Sequence, residues 1–551
     1  MRKLILAAAI ALSTSAAAIP PVPPPPPPAP PPKLLVVISV DQLAADLFDQ
    51  YRPHFTAGLA RLASGTVFRN GYQSHAATET CSGHSTILTG ALPARSGIIA
   101  NLWIDQSVAR PDKNIYCAED VTVPGSSSTK YQVSPRHLMV PTLGEMMKAR
   151  WPASRNVAVA GKDRSAVMMT GRNVDQRWYW SGSKFATDLS AAPVPEAAVK
   201  INALVAQGLA QARPALEPPP FCLAKERLIP IEGGGKPVGT GRLSRAAGEV
   251  AGYRASPELD GATLALAAAL VDEMQLGRRA EPDMLAVSLA ATDYVGHAYG
   301  TEGPEMCLQL LELDLELGDF FKMLDSRGID YAVALTADHG GKDVPERERL
   351  TGVAGAARVD PALGASAMGR ALTARLGLSG PGLLGESSFG DMYIDRNLPA
   401  AARKRLLDAA VAAYRAHPQV EAVFTADQIA RTPLPKSSPD RWSLLERARA
   451  SFYRGRSGDF LVLLKKDITP IPDTSRYVAT HGSPWDYDRR VPILFWRKGM
   501  PSAMPARAAD TVDIAPSLAA WIGLPLDKGS VDGKCLAGIS GLVCPAAPAT
   551  R

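Results

Sequence analysis

Leu34-Leu-Val-Val-Ile-Ser-Val40 is an apolar run, interrupted by Ser39 alone, that ends at Asp41. Two further runs are built the same way: Met284-Leu-Ala-Val-Ser-Leu-Ala290 leads to Asp293, and Tyr331-Ala-Val-Ala-Leu-Thr-Ala337 leads to Asp338. Short apolar runs with no polar alternation are strands buried on both faces, which is how the strands of a parallel sheet covered by helices read. In open sheets of that kind, ligands gather at the carboxyl ends of the strands. Three strand-end carboxylates therefore have a route to one crevice.

Working outward, residues 33–163 alternate strand-like and helix-like stretches. Helices are predicted at Thr56–Ala63, opening near Thr80 and at Thr142–Arg150; strands are predicted at Val67–Gln73 and Asn156–Ala160. This is the rhythm of βαβ units. It resumes at Asp283 and again after His481, with a strand at Val491–Trp496 and a helix at Asp513–Ile522. Between them lie two stretches that read as insertions. One, about 165–260, is loop-rich, with Pro218-Pro-Pro, Gly233-Gly-Gly and, near its start, Trp178-Tyr-Trp180, residues that suit either a cleft lining or packing. The other, about 344–478, carries helical candidates at Pro361–Leu376 and Ala400–His417. The expected fold is α/β: a central, mostly parallel sheet sandwiched by helices, with both insertions acting as caps.

The 551 residues are 46% hydrophobic and 21% charged, which suits a large globular enzyme and excludes a disordered or fibrous chain. Residues 1–18 read as a secretory signal peptide: Arg2 and Lys3, an apolar stretch too short to span a bilayer, and Ser15-Ala-Ala-Ala at a cleavage site. Cleavage there removes two positive charges from the formal +6. No Lys/Arg cluster interleaved with aromatics points to nucleic acid. Residues 19–33 form a proline-rich linker. Six cysteines in an exported chain, none in a Cys-x-x-Cys pair, read as disulfides. Sequence proximity and loop context suggest Cys81–Cys117, Cys222–Cys307 and Cys535–Cys544.

The chemistry lies at the strand ends. Asp293 with His297, Asp338 with His339, Asp41, and His481 in Thr480-His-Gly-Ser-Pro supply carboxylate and imidazole, both suited to zinc. One such pair alone would be an ordinary satisfied histidine; their convergence reverses that reading. Thr80, in Glu79-Thr-Cys-Ser-Gly-His, stands where a polar segment turns into a helix, a position that suits an N-cap and equally a nucleophile facing a phosphate. Thr78 is a rival for that role by spacing alone. Lys162 and Arg164, after the strand Asn156–Ala160, could reach phosphoryl oxygens, and Asn101 could add an amide donor.

Together these motifs resemble the alkaline phosphatase superfamily, in particular the bacterial exported alkaline phosphatases with a threonine nucleophile, the phosphate-irrepressible type. The resemblance spans nearly all of the mature chain, 34–545, leaving a short tail at 546–551. It implies that Asp293, His297 and His481 hold one zinc and that Asp41, Asp338, His339 and Thr80 hold a second, two Zn2+ per chain. It further implies that Thr80 is the nucleophile, that Asn101, Lys162 and Arg164 contact the phosphoryl group, and that phosphate monoesters are hydrolysed at alkaline pH through a phosphothreonine. A monomer without a membrane span, periplasmic or secreted, follows by analogy. A nucleotide pyrophosphatase/phosphodiesterase shares the metal site and the threonine, but Lys162 and Arg164 match the extra charged oxygen of a monoester. Cys81-Ser-Gly-His-Ser lacks the Pro and Arg of a sulfatase motif. A dead scaffold that only captures phosphate or metal would not need every one of these residues.

Overall fold

The computed structural model describes residues 30–545; the signal-peptide reading, most of the proline-rich linker and the tail at 546–551 lie outside the described residues. The three apolar runs pair directly. Leu34–Val40 lies between Asp283–Leu289 and Tyr331–Thr336, parallel to both. They form the centre of a nine-stranded sheet whose order is Ala509–Asp510, Thr66–Tyr72, Arg490–Arg497, Tyr331–Thr336, Leu34–Val40, Asp283–Leu289, Asn156–Ala160, Gln176–Trp180, Phe185–Ala186. Only Arg490–Arg497 and Phe185–Ala186 pair antiparallel with their neighbours.

Side chains of a strand alternate between the two faces of its sheet, and here each face has its own core. Leu34, Val36, Ile38 and Val40 pack with the helices Ala45–Tyr51, Gly58–Ala63, Pro257–Glu273 and Pro304–Ser326. Leu35 and Val37 pack on the other side with residues of Thr80–Thr89, Leu143–Arg150, Asp163–Thr170 and Ile514–Trp521. Two buried faces favour apolar side chains at nearly every position of the strand; its one polar residue, Ser39, is buried with them.

The stretch 165–260 requires a correction. Its first part belongs to the main sheet: Gln176–Trp180 pairs parallel with Asn156–Ala160. Trp178 and Trp180 pack in the core, Trp180 stacked on Tyr253 at 5.1 Å, so they line no cleft. Aromatic-rich Gln-Arg-Trp-Tyr-Trp has high strand propensity, and the Gly- and Pro-rich sequence after it masked that signal. Beyond it, helix Glu196–Leu209 and loops cover the sheet. The stretch 344–478 does form a separate layer. An antiparallel sheet, in the order Leu383–Leu384, Gly390–Ile394, Phe460–Leu464, Val420–Thr425, packs with helices Ala365–Leu376 and Ala400–Ala416 around Leu372, Leu406, Tyr414 and Phe460.

All three expected cysteine pairs are bonded. Cys81–Cys117 ties the first turn of helix Thr80–Thr89 to the end of the hairpin Leu102–Ile104/Asn114–Tyr116. Among the described residues, no helix is long and apolar enough to cross a membrane.

Candidate active site

The strand ends converge as their sequence positions suggest. Asp41 follows Leu34–Val40 directly, and its amide donates to Leu289 O at 2.9 Å. Gln42 then takes a left-handed backbone, φ 68°, rare for a side-chain-bearing residue, and its N–H donates to Asp338 Oδ1 at 3.2 Å. Asp338 and His339 follow Tyr331–Thr336, and Asp293 and His297 lie one turn apart on helix Ala291–Tyr299. His481 comes from a loop far along the chain. Thr80 is the first residue of a fully buried helix, and Thr78 turns its hydroxyl away to Ser483 O at 2.7 Å. Gly83 lets that helix approach: a Cβ there would meet Asp338 O at 2.0 Å.

Two groups of potential metal ligands result, Asp293/His297/His481 and Asp41/Asp338/His339, the ligand atoms within each lying within 4.8 Å of one another. They adjoin, since the rings of His339 and His481 stack with centroids 3.5 Å apart. Each of the three imidazoles is oriented by its Nδ1, which faces a backbone carbonyl: Ala479 O for His297, Gly340 O for His339 and Thr78 O for His481, all at 2.8 Å. A carbonyl only accepts, so Nδ1 carries the hydrogen and the Nε2 lone pair is turned inward. There His297 Nε2 lies 3.2 Å and His481 Nε2 3.5 Å from Asp293 Oδ1, and His339 Nε2 lies 3.3 Å from both Asp41 Oδ1 and Asp338 Oδ2. Asp41 Oδ1, Asp293 Oδ1, Asp338 Oδ2 and His339 Nε2 are buried with no hydrogen-bond partner among the described residues. Buried polar atoms seldom go unmatched. Inward lone pairs on carboxylates and neutral imidazoles are the donor set for a pair of divalent cations, and the residues present fit that role.

The electrostatics agree. Burial lowers the pKa of His339 and takes that of His481 well below the ordinary histidine value, which favours the neutral imidazole. Burial alone would raise Asp293, but a protonated His297 together with Lys162 would outweigh it and hold that carboxyl well below its ordinary range; for Asp338, protonated His339 and His84 would do the same. Asp41 goes the other way, pushed up by burial and by Asp338 despite Lys162.

Lys162 and Arg164 flank Thr80. Lys162, buried at the start of helix Asp163–Thr170, places Nζ 2.6 Å from Asp293 Oδ2, 2.6 Å from Asp41 Oδ2 and 3.5 Å from Thr80 Oγ1. Arg164 Nη2 is 3.4 Å from the same hydroxyl. Asn101 accepts the Cys81 N–H through Oδ1 at 2.9 Å, which leaves its side-chain amide as the group able to donate. Sequence reading missed two supports. His84 donates from Nδ1 to Thr80 O at 2.9 Å with its ring 3.1 Å from Asp338 Oδ2; the signal was its place four residues after Thr80, on the same helix face. Tyr116 and Tyr131 both donate to Asp163, at 2.7 and 2.8 Å, and Arg164 Nη1 approaches the Tyr116 hydroxyl at 3.5 Å. Nothing in the sequence ties those tyrosines to Arg164.

Known proteins share this architecture. Residues 35–483 match the family model for type I phosphodiesterase / nucleotide pyrophosphatase. Alkaline phosphatase PhoK of Sphingomonas sp. is 53% identical over 509 residues, 92% of this chain and 90% of that protein. Alkaline phosphatase PhoD of Zymomonas mobilis is 47% identical over 505 residues, 91% and 87% of the two chains. The crystal structure of wild-type alkaline phosphatase PafA superposes with a TM-score of 0.80 at 26% identity, covering 93% of this chain and all of that one. The chain is a hydrolase with alkaline phosphatases as near relatives, and it belongs to the type I phosphodiesterase / nucleotide pyrophosphatase family of the alkaline phosphatase superfamily.

Proposed function

We propose that the protein hydrolyses phosphate monoesters at alkaline pH with two zinc ions, through a phosphothreonine on Thr80, and releases inorganic phosphate. Asp293, His297 and His481 would hold one ion; Asp41, Asp338, His339 and Thr80 would hold the other. Bound there, the ions would supply Lewis-acid stabilisation of charge on the attacking and leaving oxygens. The observation that carries the reading is one hydroxyl, Thr80 Oγ1, within 3.5 Å of two cations, the buried Lys162 and the half-buried Arg164, and beside two groups of inward-facing ligands.

The chain's own residues account for the steps. Arg164 and Lys162 bind the nonbridging phosphoryl oxygens, Arg164 by its planar fork and Lys162 as a point charge, and the Asn101 amide adds a third donor. The first turn of helix Thr80–Thr89 presents Thr80 at a helix N-terminus, where the dipole favours the anion. Thr80 Oγ1 attacks phosphorus in line, the alcohol departs on the far side, and a water then releases phosphate from Thr80. The favoured pH is alkaline because attack needs the threonine oxygen deprotonated. Export to the periplasm or medium fits three disulfides in the described chain.

A phosphodiesterase could use the same ligands and Thr80, and the family description includes such enzymes. Two cations beside the hydroxyl favour the monoester, whose dianion has one more charged oxygen to neutralise. The test compares p-nitrophenyl phosphate with bis-p-nitrophenyl phosphate on zinc-loaded protein, with chelated protein and Thr80→Ala as controls. Zinc-dependent monoester turnover lost in Thr80→Ala is the expected result; a preference for the diester would overturn it.

A further inference from the structure

Beside the candidate active site lies a chamber of about 70 Å3 that opens to solvent, partly walled by the antiparallel cap sheet. Its lining adjoins the site along the chain: Glu79 precedes Thr80, Ala100 precedes Asn101, and Gly482 follows His481. The Phe389 ring closes over Gly482, 3.2 Å from where a Cβ would stand. The walls combine apolar and aromatic surface, including Trp103, Phe389 and Leu461, with three carboxylates, Glu79, Glu386 and Asp391.

Those carboxylates form no direct ion pair among the described residues. Glu79 accepts the Asn101 N–H at 2.7 Å and Asp391 the Gly458 N–H at 2.8 Å; among the described residues, none of the three forms a salt bridge and Glu386 has no hydrogen bond. Burial, and then repulsion from Glu79, pushes Asp391 up to about 7. Arg164 is the cation that acts on Glu79 and Glu386, and it also serves the phosphoryl group.

We propose that this chamber is the leaving-group pocket and that it selects phosphate monoesters of alcohols bearing a cationic nitrogen, the amino and quaternary-ammonium alcohols. The inference rests on the monoesterase reading above. As the Thr80 Oγ1–phosphorus bond forms, the bond from phosphorus to the ester oxygen breaks. The electron pair stays on that oxygen, which takes a proton from water, and the alcohol is left in the chamber. An ammonium group there meets aromatic faces and carboxylates, both attractive to a cation. An anionic leaving group meets three like charges instead.

The test uses the zinc-loaded full chain and two isosteric esters, phosphocholine and 3,3-dimethylbutyl phosphate, whose tail is uncharged, on wild type, Glu386→Gln and Asp391→Asn. The ratio of their kcat/KM values is compared between proteins, so intrinsic leaving-group reactivity cancels. Each substitution should lower the phosphocholine preference roughly three- to tenfold. Free choline should inhibit wild type more strongly than 3,3-dimethylbutanol, a readout that holds even if a variant does not fold. Unchanged ratios in both variants, or equal inhibition by choline and the neutral alcohol, would overturn the pocket while p-nitrophenyl phosphate turnover upholds the monoesterase. Loss of p-nitrophenyl phosphate turnover in wild type would overturn both.

Discussion

Replacing Lys162 by Met separates the two parts that this buried cation plays. Its Nζ sits 2.6 Å from one oxygen of Asp41 and 2.6 Å from one of Asp293, and all three side chains are at most 2% exposed. Removing one partner of a buried ion pair costs about 3–5 kcal/mol, because the remaining charge stays buried without compensation. Met fills most of the volume, so little of the loss comes from a cavity. In chelated protein, Lys162→Met should therefore lower the free energy of unfolding by about 3–5 kcal/mol. Asp41, already pushed above its ordinary range, should soften this at low pH by taking up a proton. With zinc bound, the divalent charge replaces the ammonium and most of the loss should vanish. The assay is urea unfolding of wild type and variant, with zinc and with chelator, at pH 8. Equal destabilisation in both states, or none in the chelated protein, would refute the claim that Lys162 and the metals share the same carboxylates.

Arg164→Ala should lower monoester kcat/KM by about 10²–10³, the scale of one lost donor to developing charge, and affect the diester much less; comparable losses for both would detach Arg164 from the extra oxygen. Acid should weaken the metal-free fold. Burial, with Arg489 and Arg456 nearby, lowers His75 to about 3 and His137 to about 4. Because the folded values are depressed, the unfolded chain binds the proton first, and stability falls with pH below the unfolded histidine value. Each should cost about 2 kcal/mol between pH 7.5 and 5, and His137→Gln should flatten that slope in urea titrations. Replacing Cys81 and Cys117 together by Ser opens a link across 36 residues, which the chain-entropy model values at about 4 kcal/mol. Because Asn101 is held by the Cys81 amide, KM for the monoester should rise in that variant.

Much of this protein could be read in one dimension. A strand buried on both faces is apolar at most positions, so Leu34–Val40, Asp283–Leu289 and Tyr331–Thr336 announced a parallel sheet, and the aspartate that follows each run announced its crevice. Seven candidate ligands and the pair of cations were nameable because carboxylate, imidazole and ammonium are rarely placed at strand ends without a use. Gln176–Trp180 was not legible, since whether a short aromatic run joins a sheet depends on the neighbour it meets, here Asn156–Ala160. His84, Tyr116 and Tyr131 were not legible either, because a supporting hydrogen bond leaves no pattern along the chain.

The sequence by itself determined which chemical groups exist and which backbone elements carry them, through local periodicity and residue type. Only the tertiary structure decided which atoms face one another: which histidine nitrogen is turned inward, that Thr80 rather than Thr78 lies between Lys162 and Arg164, and that Glu79, Glu386 and Asp391 meet in one chamber. Those choices follow from packing across residues hundreds of positions apart, such as Thr78 O against His481 and Gly83 against Asp338. Distance along the chain carries no information about such contacts; the excluded volume and hydrogen-bond geometry of the folded interior supply it.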